Sequence, residues 1–132
     1  MSTRLLIVDA EPFDREVARK VFAGKYDMQF AISALEAGLV DRTFHPDVVL
    51  FEMRTNEEEN LSDMLVFTQL HKPPLPLVVV FSHNSIELEK VAREYGAFYC
   101  MLRPFNLREL WDVLDAASTH ARKEYGEAPA MQ

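Results

Sequence analysis

The stretch 45-HPDVVLFEMR-54 decides the fold. Four apolar residues, Val48 to Phe51, follow the break at Pro46, and the run closes on the carboxylate of Glu52. A strand with one face in water alternates apolar and polar residues. A strand covered by helices on both faces reads as a continuous apolar run, as this one does. What needs explaining is an acid at the end of a strand that reads as buried.

Working outward, Leu5–Val8 and Leu77–Phe81 are equally continuous runs, and Met28–Ile32 and Phe98–Leu102 read as two further strands. Between them lie segments of helical period. The first carries Phe13, Val17 and Val21, the second Leu35 and Leu39, the third Leu61, Met64, Leu65 and Thr68, and the fourth Leu88, Val91, Ala92 and Tyr95. The last carries Leu107, Leu110, Trp111, Leu114 and Ala117, the clearest three-and-four spacing in the chain. Pro12 suits the first turn of a helix, and Asn106 and Ser33 or Ser85 suit N-caps. Five βα units joined by right-handed crossovers predict a parallel sheet covered on both sides, a three-layer α/β domain. The 132 residues fit one compact domain, expected over 1–121. Residues 122–132, ending "GEAPAMQ", have no apolar period and read as a tail or the start of a linker.

Composition narrows the function. A net charge of -7 repels phosphate backbones and anionic lipid, so bulk charge predicts neither nucleic-acid nor membrane binding. No apolar run approaches the length of a membrane span, and the N-terminus reaches Asp9 too soon for a signal peptide, so a cytoplasmic location is expected. Cys100 is the single cysteine, which excludes an internal disulfide and a cysteine-based zinc site; it is expected to be a buried core thiol. His45, His71 and His120 share no spacing that suggests a metal or phosphotransfer site.

In a parallel sheet every strand delivers its C-terminal residue to one edge, where ligands gather. Asp9 and Glu11, Glu52, Ser82, and Arg103 with Pro104 should arrive there together. The segments that bring them, "RLLIVDAEPFDR", "HPDVVLFEM", "LVVVFS" and "GAFYCMLRPF", resemble the four signature segments of response-regulator receiver domains of the CheY-like kind, over residues 4 to about 120. The resemblance implies a flavodoxin-like (βα)5 fold of strand order 2-1-3-4-5 and a phosphorylation-driven switch in two-component signalling.

Carried over residue by residue, the resemblance also shows where this chain departs from the family. Receivers use two adjacent acids after the first strand to hold Mg²⁺; here Asp9 is kept and the second acid is Ala10. Losing one of few carboxylates weakens a site for an ion that sheds water reluctantly, so no Mg²⁺ is expected, with Asp9, Glu11 and Glu52 as weak candidate ligands. The phosphoacceptor aspartate is Glu52, and one extra methylene misplaces its oxygen by about 1 Å, worth on the order of a hundredfold in rate. Ser82 keeps the hydroxyl, with His83 after it either crowding the donor's approach or lying in solvent. The family's lysine is Arg103, whose planar fork can grip Glu52 or Glu52 with Asp9; by analogy the bond before Pro104 is expected to be cis. Arg54 either supplies a second cation or points into water. At the switch position, where the family has an aromatic, stands Cys100, with Tyr99 facing the other side of the sheet. In the loop after Glu52, Asn60 suits a left-handed turn, and Glu57 to Glu59 read as solvated.

The expected function is therefore that of a non-enzymatic pseudo-receiver. Glu52 would serve as a fixed anion that is on, off or merely structural, and the chain would act through a protein partner or a linked output domain. Helix 1 is one expected contact surface; helix 4, strand 5 and helix 5, with Lys90, Arg93, Arg108, Asp112 and Asp115, form an expected homodimer face. The alternative is a working phospho-receiver with weakened Mg²⁺ dependence. A flavodoxin-like cofactor binder is disfavoured, because no glycine-rich loop follows the first strand.

Overall fold

The computed structural model describes residues 2–53, 58–82, 86–103 and 106–125, and of residues 13, 58 and 122–125 the backbone alone. Five strands alternate with five helices: β1 Arg4–Val8, α1 Pro12–Phe22, β2 Asp27–Ala31, α2 Ala34–Phe44, β3 Val48–Met53, α3 Glu58–Leu70, β4 Leu77–Phe81, α4 Ile86–Glu94, β5 Tyr99–Leu102 and α5 Leu107–Tyr125. All neighbouring strands are parallel, in the order β2-β1-β3-β4-β5. The expected three-layer flavodoxin-like fold is thus the observed one.

Alternation along the strands sorts the core into two layers. Leu6 and Val8 of β1, Val49, Phe51 and Met53 of β3, and Val79 and Phe81 of β4 face the layer closed by α2, α3 and α4. Leu5 and Ile7, Val48 and Leu50, and Val78 and Val80 face the opposite layer, closed by Phe22 of α1 and by Leu110, Leu114 and Ala117 of α5. Each such side chain contributes about 1.5–3 kcal/mol when fully buried. β1, β3 and β4 lie inside the sheet and are buried on both faces, which is why they read as apolar runs. The edge strand β2 alternates in exposure.

Local chemistry fixes the helix starts. Pro12 opens α1. Ser33 caps α2 by accepting a hydrogen bond from the Glu36 amide at 3.2 Å, and Asn106 accepts one from the Arg108 amide at 2.8 Å at the head of α5. Ser85 lies outside the described residues.

Two helical faces differ from expectation. In α2 the residues that meet the core are Ala34, Ala37, Val40 and Phe44, while Leu35 is 80% and Leu39 55% exposed. The i, i+4 leucine pair had marked the wrong side: small alanines let the helix sit close on the sheet and turn the leucines outward. In α1 the buried contact comes from Ala18, Val21 and Phe22 rather than Val17, which is exposed. Tyr95, expected on the packed side of α4, is also exposed, whereas the α3 face is as expected.

A histidine ties two of these elements together. His71, just past α3, has Nε2 3.0 Å from both carboxylate oxygens of Asp41 on α2 and Nδ1 2.8 Å from the Pro73 carbonyl. Both ring nitrogens face acceptors, so the doubly protonated ring suits the site. The Asp41 hydrogen bond raises its pKa above the ordinary 6.5, against partial burial. A raised folded-state pKa stabilises most fully below 6.5, and the benefit is lost as pH rises through the folded value. His71→Ala is expected to cost about 1–2 kcal/mol near pH 6 and less than half of that near pH 9. Urea unfolding of both proteins at the two pH values checks this; an equal loss at both would refute a charged His71.

Candidate functional site

The alternation that sorts the core also assembles the site. Two residues beyond Ile7 in β1 is Asp9, two beyond Leu50 in β3 is Glu52, two beyond Val80 in β4 is Ser82, and two beyond Met101 in β5 is Arg103. All four continue the layer of α1 and α5 past the point where large apolar side chains fill it. The ladder extends with them: the amide of Asp9 donates to Ala31 O at 2.9 Å, that of Ser82 to Met53 O at 3.3 Å, and that of Arg103 to Phe81 O at 3.0 Å. Glu52 is not the last residue of its strand, since β3 runs on to Met53.

At the centre, Nη2 of Arg103 donates to Oε2 of Glu52. The side chain of Glu52 is 12% exposed and that of Arg103 37%. Asp9 is buried; its Oδ1 accepts from the Glu11 amide at 2.9 Å, and its carbonyl from Nη1 of Arg15 at 2.7 Å. Burial pushes the Glu52 carboxyl above its ordinary pKa of 4.5, and the Arg103 guanidinium pulls it back. Neighbouring Asp9 adds to the upward push.

A third carboxylate joins them. Oxygen atoms of Asp9, Asp14 and Glu52 all lie within 4.8 Å of one another. Glu11, the expected auxiliary acid, is outside this group: it precedes the helix and is exposed. Asp14 occupies the first turn of α1, and side chains there lean back toward the helix N-terminus, here over the sheet edge. Pro12 as the helix start, with an acid two residues on, is the signal in the sequence that could have found it. Ala10 is exposed and offers no ligand.

Cys100 and Tyr99 face opposite sides of the sheet, as strand alternation predicts. Cys100 is buried in the α2, α3 and α4 layer, and Tyr99 is exposed. Burial raises the Cys100 pKa, opposed by a hydrogen bond from Arg93 of α4, so the thiol is a core group. Arg54, Asn56, Glu57, His83 and Pro104 lie outside the described residues. The cis bond found among the described residues joins Lys72 and Pro73.

No family model matches the chain. Curated relatives do. The chain is 28% identical over 103 residues to the DNA-binding transcriptional regulator NtrC of Proteus hauseri, covering 66% of this chain and 22% of that one. It is 27% identical over 145 aligned positions to NtrC of Escherichia coli K12, covering 96% and 30%. The crystal structure of a CheY-like response regulator receiver domain from Methanospirillum hungatei superposes with a TM-score of 0.80 over 94% of this chain and 99% of that one, at 21% identity. The chain belongs to the receiver domains of response regulators. It spans between a fifth and a third of the length of these two curated relatives. Among the described residues no helix is long and apolar enough to cross a membrane.

The family's chemistry implies a divalent cation at this edge. The oxygens of Asp9, Asp14 and Glu52 suit a hard cation in kind, and these are the residues that would hold one. Such an ion would bring positive charge to a place where Arg103 already supplies it.

Proposed function

We propose that this receiver is a pseudo-receiver: a signalling module, not an enzyme, in which Glu52 stands as a fixed anion at the phosphoacceptor position and is neutralised by Arg103. The contact between the Arg103 guanidinium and the Glu52 carboxylate carries the reading. A guanidinium binds a carboxylate as a planar fork and cannot lose its proton, so Arg103 stays charged across physiological pH. Glutamate presents one negative charge and two oxygens, against about two charges and three oxygens for a phosphoryl group. The pair thus holds the sheet edge in a single state and needs neither phosphoryl donor nor Mg²⁺. Output then comes from surfaces, toward a protein partner or a covalently linked output domain, with residues 122–132 as the start of the connection in a cytoplasmic protein. The exposed Tyr99, Leu102 and Leu107 on β5 and α5 suit a homodimer face shared with α4.

The second reading, a phospho-receiver with weakened Mg²⁺ dependence, is favoured by one observation, the arrival of Asp14 beside Asp9 and Glu52. Incubation with acetyl phosphate and Mg²⁺ followed by intact-mass measurement separates the two. The pseudo-receiver is expected to show no phosphoryl adduct; an adduct mapped to Glu52 would establish the second reading.

A further inference from the structure

An apolar groove of about 510 Å³ runs between α3 and α4, remote from the carboxylate cluster and on the opposite side of α4 from the proposed dimer face. Leu65, Val66 and Leu70 form one wall, and Val91 and Tyr95 the other. Val66, Leu70 and Tyr95 are all exposed, Leu70 by 73%. Large apolar side chains scattered singly are ordinary; here three gather around one concavity.

The groove is preformed. At its lower end Nε2 of Gln69 donates to the Gly96 carbonyl at 3.1 Å, tying the end of α3 to the end of α4. Gly96 has φ +99°, where any L side chain is strained, and a Cβ there would lie 2.5 Å from the end of the Gln69 side chain, which would have to swing aside. The two walls are thereby held at a fixed spacing before any partner arrives.

Charge identifies the occupant. Among the described side chains α3 carries Glu59 and Asp63 and no basic residue. On α4, helical spacing places Glu87 and Glu94 on the flank of Val91. Lys90 lies 4.0 Å from Glu94, and Arg93 is turned to the β5 side, where it bonds Glu89 and Cys100. The groove therefore has an apolar floor, and the two helices that wall it carry more acids than bases. A second copy that set this groove against its own would bring acidic helix against acidic helix.

We propose that the groove docks an amphipathic helix of a partner protein, with apolar anchors at i, i+3 or i+4, and i+7 and with Lys or Arg flanking them. This contact is independent of the Glu52–Arg103 pair, so failure of the pseudo-receiver reading leaves it standing.

Two synthetic peptides of about 14 residues, roughly four helical turns, test it. Both carry leucine at the anchor positions; one has lysine elsewhere and the other glutamate. Titration of the ¹⁵N-labelled protein with the lysine peptide is expected to give saturable amide shifts clustered at Val66, Leu70, Val91 and Tyr95. The glutamate peptide should bind at least about tenfold more weakly. Leu70→Glu should weaken the lysine peptide about tenfold although it adds an attractive charge, because it removes an anchor; Leu35→Glu on the exposed face of α2 should change affinity less than about twofold. Absent or unsaturable shifts at the groove, equal binding of the two peptides, or equal losses for Leu70→Glu and Leu35→Glu would overturn the proposal. So would a concentration-dependent dimer, seen by sedimentation without peptide, that Leu70→Glu abolishes, since the groove would then belong to a second copy.

Discussion

Arg103→Ala is expected to cost about 1–3 kcal/mol of stability at neutral pH, with the loss shrinking as the solution is acidified. Removing one partner of a buried ion pair typically costs about 3–5 kcal/mol, because the other charge stays behind uncompensated. The lower range applies here, since Arg103 is partly exposed and solvent screens it. The direction with pH follows from Glu52. Its folded-state pKa is raised above 4.5 by burial, so protonation favours the folded chain. That contribution is complete below the unfolded value of 4.5 and disappears as pH rises through the folded value. In the wild type the guanidinium limits the rise. Without it, burial and Asp9 act unopposed, the folded-state pKa climbs further, and the variant falls progressively behind as pH increases from about 5 toward 8. Adding Glu52→Gln to Arg103→Ala should recover most of the loss, because the buried charge has gone; Arg103→Lys should fall between, keeping charge but losing the fork. Urea unfolding across this pH range reads all of it. A deficit that is constant with pH and unrelieved by Glu52→Gln would show that Arg103 acts through packing instead.

The same residues show how far sequence alone reached. The strand order was legible only through the resemblance to receiver domains, whereas the convergence of Asp9, Glu52, Ser82 and Arg103 was legible because strand period and parallel topology fix which residues arrive at the edge, whatever the side chains do there. The Arg103–Glu52 contact was legible because a buried carboxylate requires a partner and the end of β5, two strands away along the same edge, carries the cation. Asp14 was not, since its approach depends on how the first turn of α1 sits over β1 and β3, a tertiary property that adjacency in sequence disguised by offering Glu11. The outward leucines of α2 were missed for a related reason. Two apolar residues four apart define a stripe but not its direction, and Ala34 and Ala37, small enough to touch the sheet, decided it.

If phosphoryl transfer is silenced by geometry, restoring the geometry should restore it. The triple variant Ala10→Asp, Glu52→Asp, Arg103→Lys is expected to label with acetyl phosphate at least about a hundredfold faster than the wild type. Shortening residue 52 by one methylene withdraws the attacking oxygen by about 1 Å, and errors of that size carry a factor on the order of a hundred. Lysine replaces a fork that occupies the carboxylate with a compact charge that leaves its oxygens free. Ala10→Asp returns the acid next to Asp9, at a position that is now exposed and offers no ligand. The three changes should act as a unit, because Glu52→Asp alone keeps Arg103 on the acceptor and Ala10→Asp alone adds repulsion to an edge where three carboxylates already meet. Stability gives an independent reading. Without metal the triple variant should melt below the wild type; with Mg²⁺ at about a hundred times its dissociation constant it should gain roughly 2.7 kcal/mol, while the wild type, whose guanidinium already neutralises Glu52, should shift little. A wild type that gained as much from Mg²⁺ as the variant would mean that Asp9, Asp14 and Glu52 already form a working cation site and that Arg103 yields to it. The pseudo-receiver reading would then fail at its central contact.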